Sequence, residues 1–109
     1  MYEVVLVPKA KEDLDELERS GYGRKARELL TILEEDPFKS PPKYKQLGGN
    51  MKGMFSRRIN IEHRIVYEIL PSNDERYQGR VKVHRMRTHY RGIIPILFFT
   101  YSILPNVFQ

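Results

Sequence analysis

A chain of 109 residues makes one domain, since separate cores appear only beyond ~250 residues. It contains no cysteine, which excludes a thiol nucleophile, a thiolate metal site and a disulfide framework, and fits a reducing cytoplasm. Lys and Arg number 19 against 14 Asp and Glu, a net charge of +5, but the charge is uneven: residues 1–36 hold 6 basic and 10 acidic residues, 37–91 hold 13 and 4, and 92–109 hold none. Such a basic middle segment is the footprint of a polyanion ligand, because Lys and Arg release counterions from phosphates. A plain solvated surface is the alternative. The N-terminus lacks the basic, apolar and small-residue succession of a signal peptide.

Tyr2 to Val7 is a run of β-branched and aromatic residues that predicts a strand, ended by Pro8. From Lys9 to Arg19, Ala10, Leu14 and Leu17 recur at helical spacing, and Ser20-Gly21 supplies the stop. A second helix is predicted from Tyr22 to Glu35 on Ala26, Leu29, Leu30 and Leu33, and Asp36-Pro37 ends it. Residues 37–50 carry three prolines and two glycines and are expected to cross the surface as a loop, with Lys39, Lys43 and Lys45 in water or facing a ligand.

Residues 53–70 read as two strands around a turn near Asn60, with His63, Ile65, Tyr67 and Ile69 alternating against Arg64, Val66 and Glu68. After a polar turn over 71–79, a further strand is predicted over 80–90, with Val81, Val83, Arg85 and Arg87 on one face and Lys82, His84, Met86 and Thr88 on the other. The expected fold is α+β in the order β-α-α-β-β-β, a largely antiparallel sheet with both helices on one face. The other face stays open, and the strands bring Arg57, Arg58, Arg64, His89 and Tyr90 to a wet, concave surface, since such groups are costly to bury unpaired.

The tail from Gly92 to Gln109 is uncharged, with 11 of its 18 residues apolar or aromatic. Pro95 and Pro105 interrupt it, and its apolar stretch is shorter than the ~20 residues of a membrane span. It is expected to fold against the domain; a partner-binding or homodimer-forming arm is the alternative. The chain therefore divides into a domain over 1–91 and an apolar extension over 92–109.

Metal hydrolysis needs several converging carboxylate or imidazole ligands, whereas the basic half offers only Glu62, Glu68, Asp74 and Glu75, and the three histidines lack ligand spacing. No metal or other cofactor is expected. Gly-x-Ser-x-Gly is absent, and Gly48-Gly49 lacks the context of a phosphate loop. RNA cleavage remains, because the 2′-hydroxyl is its own nucleophile. It needs a base or positive field, cations around the phosphorus and an acid for the departing 5′-oxygen. Arginine suits the second role and histidine the third.

Ser56 to Tyr67 (SRRINIEHRIVY), followed by Thr88-His89-Tyr90, resembles the YoeB/Txe toxins of the RelE-like superfamily, and EDPF at 35–38, YKQL at 44–47 and the GMFSRR hairpin extend the likeness over residues 1–91. The resemblance implies a toxin of a type II toxin–antitoxin system, a metal-independent endoribonuclease that cuts mRNA on the ribosome and is neutralised by a YefM/Phd-like antitoxin. It further implies that Arg64 holds the scissile phosphate and that His89 is the general acid. Tyr90 completes the pocket, Arg58 is a supporting phosphate contact, and Glu62 holds the arginines in place. Arg57 is the weaker member of its pair, since alternation puts it on the opposite face. Lys43 and Arg87 are further RNA-binding candidates, although Arg85 and Arg87 read equally as surface charge.

Lys45 stands where most relatives carry the glutamate read as the general base. A lysine acts as a base only once it has lost its proton. The sequence therefore admits an active ribonuclease with Lys45 as a catalytic residue, crowding by Arg58 and Arg64 favouring loss of its proton, or an impaired module that keeps antitoxin or RNA affinity. DNA binding is the weakest option, because both predicted helices belong to the acidic half. His63 is expected as a core or edge histidine on the face opposite Arg64, and His84 likewise.

Overall fold

The structure, a computed structural model, describes residues 1–87. Strand β1 (Tyr2–Leu6) leads into helices α1 (Pro8–Arg19) and α2 (Gly23–Glu35). Strands β2 (Tyr44–Gln46), β3 (Met54–Arg58), β4 (Arg64–Leu70) and β5 (Gly79–Arg85) follow. They form one sheet in the order β1-β5-β4-β3-β2, with β1 parallel to β5 and the other neighbours antiparallel. The expected α+β architecture is thus present, with one strand more than foreseen: three residues of the proline-rich segment pair as an edge strand. Tyr44–Gln46 escape the proline rule because the prolines lie before them, at 37, 41 and 42, leaving their own N–H groups able to join the ladder.

Pro8 opens α1 as well as closing β1, since its fixed φ suits the first helical turn and its missing N–H is not needed there. The end of α1 is closed by two bonds: Tyr22 N–H donates to Leu17 O at 2.8 Å and Gly21 N–H to Glu18 O at 3.3 Å. Gly21 has φ +89°, the left-handed conformation such a stop requires. The helices bury Ala10, Leu17, Ala26, Leu29 and Leu33 against Ile65, Tyr67, Val81 and Val83. Each large side chain removed from water contributes roughly 1.5–3 kcal/mol.

β5 ends at Arg85, so Met86 and Arg87 of the predicted strand lie outside it, and 88–90 lie outside the described residues. Met86 consequently leaves the alternation and lies fully buried in the helix-side core, not on the face of Lys82 and His84. Asp13 on α1 accepts bonds from Arg85 Nε at 2.7 Å and from the Met86 N–H at 3.0 Å, which turns the chain toward the helices at that point.

Candidate active site

The sheet face away from the helices collects the predicted cations. In register, Lys45 on β2 pairs with Ser56 on β3, Ser56 with Val66 on β4, and Arg58 with Arg64 across the β3–β4 hairpin. The hairpin is shaped by Asn60, whose Oδ1 accepts the N–H groups of Glu62 at 2.8 Å and His63 at 2.6 Å. Ile59 N–H closes it onto His63 O at 2.9 Å. Directly opposite residues of an antiparallel pair have Cβ atoms ~4.5–5.5 Å apart, and like charges there are destabilising. An anion between Arg58 and Arg64 would reverse the sign of that interaction. Arg64 Nε donates to the buried Ser56 Oγ at 2.5 Å, holding the guanidinium over the sheet, while exposed Arg58 donates from Nη1 to Ile61 O at 3.2 Å.

Arg57 lies elsewhere. It is 0% exposed, on the helix side of the sheet as alternation required, so its expected place at the wet surface is corrected. Its Nε donates to Tyr67 Oη at 3.1 Å and its Nη2 to Pro37 O at 2.8 Å, with Nη1 donating to Pro42 O. The guanidinium carbon also sits 5.0 Å from the Tyr44 ring centroid. A proline-rich segment has carbonyls in excess of N–H donors, and Arg57 supplies the donors it lacks. Burial raises the Tyr67 phenol pKa, opposed by the bond from Arg57. This hub anchors the segment carrying Lys43 and Lys45, both exposed.

His63 is buried, as expected, with its ring edge-on to Tyr22 at 6.5 Å. Burial lowers its imidazole pKa, the charge of Arg87 acts in the same direction, and Glu62 opposes them. The Glu62 carboxylate lies 3.6 Å from His63 Nε2. Arg87 is half-buried, its carbonyl accepting from Arg85 Nη2 at 3.2 Å. His89, Tyr90 and the extension over 92–109 lie outside the described residues. Among the described residues no group of three or more His, Asp or Glu could hold a metal ion.

Sequence reasoning missed two features. One is the Arg57 hub, signalled by period-two alternation and by the proline content of 37–42. The other is the pair His84 Nε2 and Glu68 Oε1 at 2.7 Å on the open face. Positions 68 and 84 belong to different strands, and only the register makes them neighbours.

A family model described as the YoeB-like toxin of bacterial type II toxin–antitoxin systems matches residues 12–90. Toxin YoeB of Mycobacterium bovis is 36% identical over 67 residues, 62% of this chain and 71% of that one. Toxin YoeB of Synechocystis is 46% identical over 41 residues, 38% of this chain and about half, 48%, of its relative. Among solved structures, the YoeB/ParE toxin from Agrobacterium tumefaciens superposes with a TM-score of 0.69 at 30% identity, covering 81% of this chain and 99% of that one. A YoeB dimer from Staphylococcus aureus gives 0.65 at 28%, covering 82% and 98%. The YoeB–YefM complex of the same organism gives 0.63 at 28%, covering 83% and 99%. With a matched span that includes both arginines of the hairpin and a shared fold, this chain belongs to the YoeB-like toxins of bacterial type II toxin–antitoxin systems.

Proposed function

We propose that the chain is a metal-independent, ribosome-dependent endoribonuclease that cleaves mRNA and is held inactive by a YefM-like antitoxin. The observation carrying this reading is the opposition of Arg58 and Arg64 on a sheet face that also bears Ser56 and Lys45. Two guanidinium groups on directly opposed strand positions supply the charge and donors that a five-coordinate phosphorus calls for. Arg64, steadied by Ser56, holds the scissile phosphate; Arg58, Lys43 and Lys45 meet the flanking backbone. From the motif match, Glu62 steadies the arginines and Arg87 is a further RNA contact. By the same match, His89 protonates the departing 5′-oxygen and Tyr90 stacks on a base. The S. aureus YoeB–YefM complex and YoeB dimer support an antitoxin partner and a homodimer for this chain. The reading places the protein in the cytoplasm with its substrate; no helix among the described residues is long and apolar enough to cross a membrane.

Purified protein added to programmed ribosomes is expected to release message fragments ending in a 2′,3′-cyclic or 3′-phosphate. Arg64→Ala should slow cutting by about 10²–10³-fold, as loss of one transition-state donor does. His89→Ala should slow it by about 10²–10⁴-fold. Intact message with the wild-type chain would overturn the reading and favour the second one, an antitoxin- or RNA-binding module without catalysis. Exposed Lys45, in the position of the relatives' carboxylate, is the observation that favours that alternative.

A further inference from the structure

With lysine at position 45, the open face lacks a carboxylate at the place where the resemblance puts the base. The same face carries another proton acceptor. The register of β4 on β5 slips between Val66 and Tyr67, so that Val66 pairs with Arg85 and Tyr67 with Val83. His84 is left as the extra residue of a bulge, the kind of irregularity that re-aims a side chain beside an active site. Its half-buried ring meets Glu68, whose own register partner is Lys82. A carboxylate only accepts hydrogen bonds, so Nε2 donates to Glu68 Oε1 at 2.7 Å and Nδ1 carries the acceptor lone pair.

We infer that His84, oriented by Glu68, is the general base that takes the proton of the attacking 2′-hydroxyl. The inference rests on the ribonuclease reading above. Across the sheet, Ser56, Val66 and the His84 bulge occupy one row of neighbouring strands. Strands lie ~4.8 Å apart, so His84 and Ser56 are separated by roughly 10 Å of backbone, with Arg64 anchored on Ser56 at the far side. That interval is of the order spanned by a phosphate held at Arg64 and the adjoining ribose 2′-hydroxyl, with the His84–Glu68 pair on the same face of the sheet.

In the step itself, the 2′-O–H bond breaks and its proton goes to Nδ1. The 2′-oxygen bonds to phosphorus as the P–O5′ bond breaks, and the 5′-oxygen takes a proton from the acid, giving a 2′,3′-cyclic phosphate and a 5′-hydroxyl. The imidazolium that results is balanced by the Glu68 carboxylate, as an orienting acid balances a catalytic histidine elsewhere. Among the described residues, the other charged strand positions on this side are Arg64 on β4, Lys82 and Arg80 on β5, Glu3 on β1 paired with Arg80, Arg58 on β3 and Lys45 on β2, with exposed Lys43 just before β2.

The test is single-turnover cleavage on programmed ribosomes by the full chain, comparing wild type with His84→Gln, His84→Ala and Glu68→Gln. Binding of a message with a 2′-deoxy substitution at the cleavage site is measured alongside. His84→Gln should slow cutting by about 10²-fold or more while leaving the dissociation constant of the uncleavable message within about twofold. Added imidazole should restore part of the His84→Ala rate. Glu68→Gln should lower the cleavage rate by about 10-fold or more while leaving the dissociation constant of the uncleavable message within about twofold, because the ring loses the acceptor that fixes its orientation. A wild type that cuts while His84→Gln cuts equally fast would overturn the inference and leave the ribonuclease reading standing. A slow His84→Ala that imidazole does not rescue, with altered message binding, would assign His84 to structure and overturn it as well. No cleavage by the wild type would overturn both.

Discussion

Replacing Arg57 with alanine would strip Tyr67 Oη and Pro42 O of their donor and leave Pro37 O with only the long bond from Tyr67 Oη at 3.4 Å. A buried acceptor left without its partner costs about 1–3 kcal/mol, and a truncated side chain of this size adds a cavity, so Arg57→Ala is expected to destabilise by roughly 3–5 kcal/mol. Arg57→Lys should recover only part of this, because an ammonium cannot serve three divergent acceptors as a planar fork does. Urea denaturation of the two variants checks the ranking; equal midpoints for wild type and Arg57→Ala would show that the hub is not needed for stability. Neighbouring Arg58 makes the opposite case. One residue along β3 moves the side chain to the other face, where it is exposed and its removal is expected to alter RNA binding rather than folding. Two adjacent arginines thus separate into a buried, structural position and an exposed one through the two-residue period of a strand.

The end of β5 is held by α1 through Asp13, 2% exposed and bonded to Arg85 and to the Met86 N–H. In sequence this junction lies four residues before His89, which is outside the described residues. Asp13→Ala should cost about 3 kcal/mol, the lower part of the range for breaking a buried ion pair, since the Arg85 side chain remains about one-third exposed, at 35%. It should also lower the cleavage rate more than the affinity for an uncleavable message. Thermal melts and paired binding and rate measurements check both; a stable variant that cleaves at the wild-type rate would disprove the link. Strand β2, by contrast, lies at an edge of the sheet. Three residues suffice because Arg57 and the ring cluster of Phe38, Tyr44 and Phe55 fasten the segment before it.

Across the whole molecule the charge divides as the sequence does, with the acidic half forming β1 and the helices and the basic half forming most of the sheet. Binding of single-stranded RNA should therefore weaken with salt by about 0.7 log units per log unit of salt for each phosphate contact. Lys43→Ala, Lys45→Ala and Arg58→Ala should each flatten that dependence by about one contact, whereas Lys9→Ala on α1 should not; titrations at about 50 and 200 mM salt decide. Unchanged slopes for all three would remove the open face as the RNA surface. What the sequence alone determined are the features written locally: two helices with their stop at Ser20-Gly21, the hairpin at Asn60, the alternation that separates Arg57 from Arg58, and the motif order of the family. Each depends on residues a few positions apart, where backbone preference and side-chain period dominate. Tertiary structure alone decided that Tyr44–Gln46 pair, that Arg57 feeds the carbonyls of a segment 15–20 residues away, that Met86 turns inward and that His84 meets Glu68. Those outcomes depend on strand register, a bulge and the desolvation of charges between distant segments, quantities that exist only once the sheet has closed.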